Sequence, residues 1–483
     1  MAATIEHLDP WIGGRADTVS GRAVYELVSP VDGKIASNIV DSNSDVIDAA
    51  ATNSHRAFMT NRRVTTAVRA AWLDEAALQI EAAKDDIVHA LMRDIGKPMR
   101  PAAFEAGRSA QFVRLVTAEL GHMGGETLPL DAAVAGAGRF GFTKRVPYGV
   151  VGAITPFNAP ANLLIQKVAP ALAMGNAVVV KPAPQGVDVA LIIARAFQRA
   201  GLPDGLFNIV PGHHETARSL AAHRLVSVVT LTGSTEAGEA IANAAGAKKI
   251  VAELGSNAAN IVCADADLKD AAQRIAGSAF EASGQQCISA QRIIVEAPVL
   301  DSFTELFVAA AKRLKVGEAN DQDTAIGPMV STTAADRVQG LIDDALAKGA
   351  RLALAPERKD AILGPAIVVE PPDDARLLSE EAFGPVAVIV PAANLDDALR
   401  IANASEFGLQ GACFTQSLET AFRVSDELEV GSLWINEGSR FRLDTYPFGG
   451  VGGSGFGREG VRYAMEEMSQ LKFTGIRLTG VPT

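Results

Sequence analysis

The sequence predicts an α/β protein built as two α/β lobes in series, and three observations carry that prediction. From Gly149 onward, short apolar runs alternate with amphipathic stretches, the rhythm of βαβ units and a parallel sheet. The alternation comes in two successive blocks. The chain has 483 residues, which at about 150 residues per domain corresponds to roughly three domains or lobes.

Taken in order, segments 45–59, 66–93 and 101–120 carry apolar residues at helical spacing, with Asp, Ser or Thr near their starts and Gly96 and Gly121 after the last two. The first quarter therefore reads as mostly helical. Segment 124–144 is rich in Gly and Ala and fits neither lobe, so it reads as an excursion that packs elsewhere. The first α/β block runs through VVGAI, AVVVK, a helix near 188–199, LFNIV, a helix near 214–221 and VSVVTL. The second runs through ANIVC, a helix near 268–281, RIIVE, helices near 301–312 and 332–347, and PVAVIV. No period of about 20 to 50 residues recurs, which argues against a solenoid.

Hydrophobic residues make up 48% of the chain and charged residues 21%, an ordinary globular balance without the signature of disorder. Lys and Arg total 44 against 56 Asp and Glu, for a net charge of -12, and no dense basic run offers a footprint for nucleic acid. The opening MAATIEHLDPWIGG lacks a basic region followed by an apolar one, as a secretory signal requires. The most apolar stretch, 146–180, is broken by Pro147, Pro156, Pro160 and Pro170 and by polar residues, too often for a membrane helix. Three cysteines form no disulfide framework and point to a reducing compartment. A soluble, cytoplasmic protein is expected.

GxGxxG occurs at Gly136/Gly138/Gly141 and Gly455/Gly457/Gly460, but neither instance follows a predicted strand of a βαβ unit, so both read as decoys. TGSTEAG at 232–238 is a better anion site, because it follows the strand VSVVTL and opens a helix whose amides can receive a phosphate. A plain N-cap explains the same residues. Cys263 and Cys413 sit in strand-like sequence and read as inert core thiols. Cys287, in SGQQCISAQ, has glycine and polar neighbours and reads as an accessible nucleophile at the end of a helix. All seven histidines precede it, which excludes a papain-like order, and the adjacent His213 and His214 make no metal spacing. Glu253 follows a predicted strand, where burial would raise its pKa and suit it as a base; the alternative is a surface strand end. Asn158, between Pro156 and Pro160, is either an oxyanion donor or a turn residue.

The order of these segments is more specific than any one of them: TPFN at 155–158, KPAP at 181–184, TGSTEAG at 232–238, ELGS at 253–256, GQQC at 284–287, EAFGPV at 381–386 and PFGG at 447–450. The series resembles the aldehyde dehydrogenase superfamily over about residues 25–475. The GGETLPLD, ELGSN, FRLD and REGVRYAMEEM segments resemble its branch of lactaldehyde, non-phosphorylating glyceraldehyde-3-phosphate and phosphonoacetaldehyde dehydrogenases.

The resemblance implies two α/β lobes, a variant Rossmann cofactor domain and a catalytic domain, plus a small oligomerisation element. The cofactor domain would span 1–128 and 148–254, with 449–465 returning to it. The catalytic domain would span 255–448, and the oligomerisation element 129–147 with 466–483, in a homodimer or homotetramer. By resemblance Cys287 adds to the aldehyde, the Asn158 amide holds the oxyanion, Glu253 activates the hydrolytic water, and Lys167 belongs to the catalytic set. Thr155, Pro156, Phe157, Lys181, Pro184, Gly233, Ser234, Leu254, Gly255, Glu381 and Phe383 would line the NAD+ or NADP+ site. Pro184 stands where many NAD-preferring relatives carry a ribose-binding Glu, so NADP+ would be tolerated or preferred.

Gln286, Arg108, Arg440 and Arg442 are candidate substrate contacts, for a small polar aldehyde or semialdehyde. Gln286 replaces the arginine that enzymes acting on phosphate or phosphonate substrates tend to carry, Gln470 replaces a frequent Glu, and GGVGGSGFG at 449–457 lacks a common lysine and reads as a more flexible loop. A CoA-acylating semialdehyde dehydrogenase is the rival enzyme, and a catalytically idle binding protein on the same fold is the rival class.

Overall fold

A computed structural model describes residues 5–18 and 20–478. Residues 1–4 of the expected cofactor domain, Val19, and residues 479–483 of the expected oligomerisation element lie outside the described residues. Within them, two large sheets form the two lobes.

The first sheet has eight strands, with five parallel ones at its centre. In spatial order these are Lys249–Glu253, Val226–Thr232, Val150–Thr155, Ala177–Pro182 and Phe207–Ile209. The chain builds outward from Val150–Thr155 in one direction and then returns to its other side, so the strand order reverses between Val150–Thr155 and Val226–Thr232. A reversal of this kind opens a crevice at the carboxyl ends of the strands. Antiparallel strands Trp11–Ile12 with Arg15–Ala16, and Gly455–Phe456, close the two edges. The second sheet has seven strands, parallel except for the edge strand Arg351–Leu354, and carries Ala259–Val262, Arg292–Glu296 and Val386–Ala392.

Helices form close to the predicted segments: Ser44–Asn61, Val187–Arg199, Leu268–Phe280 and Thr332–Ala347. The single helix expected over 66–93 is two, Thr66–Ala82 and Lys84–Ile95. Asp85 and Asp86 lie in the first turn of the second, where negative charge favours a helix start. The first quarter also holds a three-stranded sheet, Glu6–Leu8, Ile35–Val40 and Val24–Val28, which the helical reading missed. Helix Pro160–Ala173 was missed as well. All fourteen of its residues are buried, so it shows no polar face and no periodicity, and its prolines suggested breaks. Pro160 sits at the helix start, where the missing N–H costs nothing.

The excursion is a third sheet. Arg139–Pro147 pairs along its whole length with Ser469–Arg477 and is flanked by Thr127–Leu128. Both GxGxxG segments lie outside phosphate-binding turns: Gly141 is within the extended strand, and Gly455 is in an antiparallel edge strand. The 449–457 loop is tied down rather than loose. Ser454 Oγ donates to the Gly255 carbonyl and accepts from the Gly408 N–H, and Arg458 bonds the carbonyls of Gly450 and Gly457. Among the described residues no helix is long and apolar enough to cross a membrane, and no cluster of His, Cys, Asp and Glu is arranged to hold a metal.

Candidate active site

The carboxyl edge of the first sheet gathers the expected cofactor residues. Thr155 and Thr232 end the two strands that flank the reversal, Lys181 stands beside Ile154 in register, and Glu253 pairs with Thr232. The hydroxyls of Thr155 and Thr232 are buried without hydrogen-bond partners among the described residues. Lys181 is buried, and burial lowers its pKa to about 8, with Asp41 pulling the other way. Orphaned hydroxyls and a buried ammonium at a topological switch point fit a polar, anionic ligand such as a dinucleotide. Ser234 caps helix Thr235–Ala245 by accepting from Ala237 N at 3.2 Å, leaving the turn at Gly233 at a helix start. Pro184 opens a short 3-10 turn two residues after Pro182, with Ala183 at its cap.

Leu254 and Gly255 continue from this edge into the second lobe, with the Leu254 N–H on the Ser454 carbonyl at 3.0 Å. Glu381 of the second lobe reaches back, accepting from Ser256 N at 3.1 Å. Burial pushes its carboxyl up to about 7 despite that bond. Phe383 holds a left-handed φ of 49° and meets Phe157 edge to face at 5.7 Å. A bulky residue in that region stores backbone strain, a frequent mark of functional sites.

Cys287 follows a run of three left-handed residues, Ala282, Ser283 and Gly284. Helix Leu268–Phe280 ends there and the chain turns sharply. A side chain at Gly284 would collide with the Gly384 carbonyl, so the turn requires glycine. Cys287 is partly buried and packs in a small cluster with Ile288, Leu409, Tyr446 and Phe448. Burial pushes its thiol up to about 12, with Glu381, Glu253 and Glu459 adding to the effect and Arg442 opposing it. Cys263 and Cys413 are buried as expected of core thiols, and the fold brings their sulfurs to 3.9 Å.

Asn158 precedes helix Pro160–Ala173, and its backbone is fixed from behind. Its carbonyl accepts from Lys97 Nζ at 2.7 Å, and Lys97 pairs with buried Glu105. Glu105 accepts from Ala161 N at 2.9 Å, which satisfies an orphan donor of the helix start. The Asn158 side-chain amide has no partner among the described residues.

Glu253 is 2% exposed, and neither carboxyl oxygen has a hydrogen-bond partner among the described residues. Burial raises its pKa well above the usual range, Glu459 raises it further, and Arg442, Lys167 and Arg458 act in the opposite sense. Behind it lies a buried ionic chain. Glu459 accepts from Lys167 at 2.8 Å and from Arg442 at 3.0 Å. Arg442 also donates to Gln166 and lies over the Phe448 ring at 3.6 Å. Gln166 and Arg108 meet on Asp444, Arg108 through two bonds.

The candidate substrate arginines are thus engaged within the protein. Arg108 is held by Asp444, Arg442 by Glu459, and Arg440 by Glu281 and by the Gln286 side chain at 2.7 Å. Three residues of this framework, Glu105, Asp444 and Glu459, escaped the reading of the sequence. Glu459 carried one usable signal, an acid beside a glycine-rich loop. Gln470 is exposed on the strand Ser469–Arg477, opposite Val146.

Two α/β lobes, a switch-point crevice and a cysteine within electrostatic reach of a buried carboxyl group define the architecture of a dinucleotide-dependent oxidoreductase with a thiol site. The sequence model of the aldehyde dehydrogenase family matches residues 17–474. A 3-sulfolactaldehyde dehydrogenase of Priestia aryabhattai is 37% identical over 407 residues, covering 84% of this chain and 85% of its own. A lactaldehyde dehydrogenase of Methanocaldococcus jannaschii is 39% identical over 401 residues, covering 82% and 85%. Among solved structures, the NADP-dependent glyceraldehyde-3-phosphate dehydrogenase of Bacillus halodurans, complexed with NADP, superposes with a TM-score of 0.96 at 32% identity, covering 98% of this chain and 100% of that one. The chain belongs to the aldehyde dehydrogenase family.

Proposed function

We propose that the protein oxidises a small polar aldehyde to its carboxylic acid with NAD+ or NADP+, using Cys287 as nucleophile and Glu253 as base. The single observation that carries this reading is the buried Glu253 carboxyl, unpaired and raised in pKa, within electrostatic reach of Cys287. The first lobe serves as cofactor domain, the second as catalytic domain, and the third sheet as the oligomerisation element. The similarity to lactaldehyde and 3-sulfolactaldehyde dehydrogenases supports a small polar substrate.

Lys181, Thr155, Thr232 and the 233–238 turn would hold the dinucleotide, with Glu381 and Phe383 on its nicotinamide side. When bound, the dinucleotide supplies the hydride acceptor. Cys287 Sγ gives its proton to the ionised Glu253 carboxylate, which passes it to solvent, and bonds to the aldehyde carbon, forming a thiohemiacetal whose oxygen carries the negative charge. The Asn158 amide donates to the developing oxyanion, and the Lys97–Glu105 pair fixes its backbone. The hydride on the former aldehyde carbon would pass to the bound dinucleotide, which would leave the acyl group on Cys287 as a thioester. Glu253 then takes a proton from water, whose oxygen bonds to the thioester carbon and expels the Cys287 thiolate as the acid forms.

Glu253 favours hydrolysis over transfer to CoA. The absence of a carboxylate at Pro184 favours tolerance of NADP+, since nothing at that position repels a 2′-phosphate. The test is reduced-nicotinamide absorbance with purified protein and a panel of small aldehydes, with NAD+ and NADP+ in parallel and without CoA. Turnover without CoA supports the reading, and turnover that requires CoA overturns it in favour of acylation.

A further inference from the structure

Away from the site, a cavity of about 230 Å³ opens between the start of helix Thr66–Ala82, the end of helix Pro160–Ala173 and the strand Arg139–Pro147. Its walls carry Arg62, Arg69, Lys144 and Arg145 above the apolar Leu120 and Met174. Among the described residues, the only carboxylate paired with any of the four cations is Glu466, at 3.7 Å from Arg145 and shared with Arg462 at 3.1 Å. Glu119, next to the lining residue Leu120, is likewise taken by Arg462. On a chain with net charge -12, four cations sharing one carboxylate is a local excess that attracts anions.

Arg69 makes this a built cavity. Its Nε donates to the Ala173 carbonyl at 2.8 Å, one Nη to the Val64 carbonyl at 2.8 Å, and the other to Thr66 Oγ1 at 3.2 Å. These bonds fix the guanidinium plane and use three of its five N–H donors. Among the described residues no acid pairs with it, and burial lowers its pKa. Arg145 is fixed in the same way by Ser469 Oγ at 3.1 Å and the Glu466 carbonyl at 3.4 Å. Lys144 and Arg62 are exposed above them with no carboxylate partner among the described residues. Two anchored guanidinium groups and two exposed cations are the elements that bind an oxyanion by charge-assisted hydrogen bonds.

We propose that this cavity binds a small, multiply charged organic anion, a phosphate monoester or a polycarboxylate, at a site separate from the catalytic crevice. The volume exceeds that of an inorganic phosphate, and the apolar floor suits the organic body. The proposal does not depend on the reaction proposed above.

The test is calorimetric titration of the full-length protein with glucose 6-phosphate and, separately, citrate, at ionic strength held constant with sodium chloride. Saturable binding of either probe is expected, and the stronger one identifies the source of the charge. The double variant Arg62→Ala/Lys144→Ala, which leaves the anchored arginines in place, should bind roughly tenfold or more weakly. Its melting temperature without probe should be unchanged. Lys181→Ala, altered at the crevice, should bind like the parent. Absence of saturable binding overturns the proposal, as does binding that survives in the double variant but is lost in Lys181→Ala. A double variant that changes oligomeric size while the parent binds neither probe also overturns it, and assigns the cavity to a second copy of the chain.

Discussion

Replacing Glu459 by glutamine removes the carboxylate that both Lys167 and Arg442 contact and leaves two buried cations facing the Glu253 carboxyl. Burial works against ionisation of Glu459, but Lys167 and Arg442 outweigh it and hold its carboxyl at about 2, against an ordinary 4.5. At about 1.4 kcal/mol per tenfold change in proton affinity, that difference corresponds to about 3 kcal/mol, the lower end of the cost of breaking a buried pair. The sign follows from the depressed pKa. The contribution is present above about pH 4.5 and is lost as pH falls toward 2. Glu459→Gln should therefore melt well below the parent between pH 5 and pH 8, with the gap closing only in strong acid. The same change removes a charge that raises the pKa of Glu253, so Glu253 ionises at lower pH. The acid limb of steady-state turnover should move to lower pH, read by calorimetry and a kcat profile on one preparation. A variant that melts with the parent at pH 7, or an acid limb that stays or moves upward, refutes the reasoning.

Glu253→Gln should raise the melting temperature, and by more as pH increases. Between about pH 4.5 and its own raised pKa, the native state holds a proton on Glu253 that the unfolded chain has released, so the parent loses stability as pH rises through that range. Cys287 at about 12 is ionised to about one part in 10⁴ at pH 8, so iodoacetamide should label it far more slowly than an ordinary thiol, at a rate that climbs through alkaline pH. Labelling at the rate of free cysteine at pH 7 contradicts this. Pro184→Glu should lower kcat/KM for NADP+ relative to NAD+ by roughly tenfold or more, through repulsion of the 2′-phosphate; an unchanged ratio places the 2′-position elsewhere.

The two parallel sheets were legible because their strands are short apolar runs bounded by turns, and helix Thr332–Ala347 because one face is apolar and the other charged. Helix Pro160–Ala173 was hidden by being buried all round, so the pattern that reveals helices is absent from it. The strands near the N-terminus are two to six residues long, too short for an alternation to register. Cys287, Glu253 and Asn158 stood out because each lies in a segment whose composition breaks with its surroundings. Glu459 and Asp444 act through partners distant in the chain, such as Lys167 to Glu459 across 292 positions, and Glu105 joins nearby Lys97 to Ala161 N across 56 positions; no local pattern announces such contacts. The arginines show the complement: Arg108, Arg440 and Arg442 are visible as charges, but their neutralising partners appear only in three dimensions.

The most direct test of the central claim is rapid-mixing kinetics with lactaldehyde and NADP+ or NAD+, comparing the parent with Glu253→Gln and Cys287→Ala and followed by intact-mass analysis. The account predicts that Glu253→Gln releases about one equivalent of reduced cofactor in a burst and then turns over slowly, with an acyl group retained on Cys287. Cys287→Ala should give neither burst nor turnover. Wild-type turnover by Cys287→Ala, or a Glu253→Gln protein with undiminished steady rate and no acyl adduct, would contradict it.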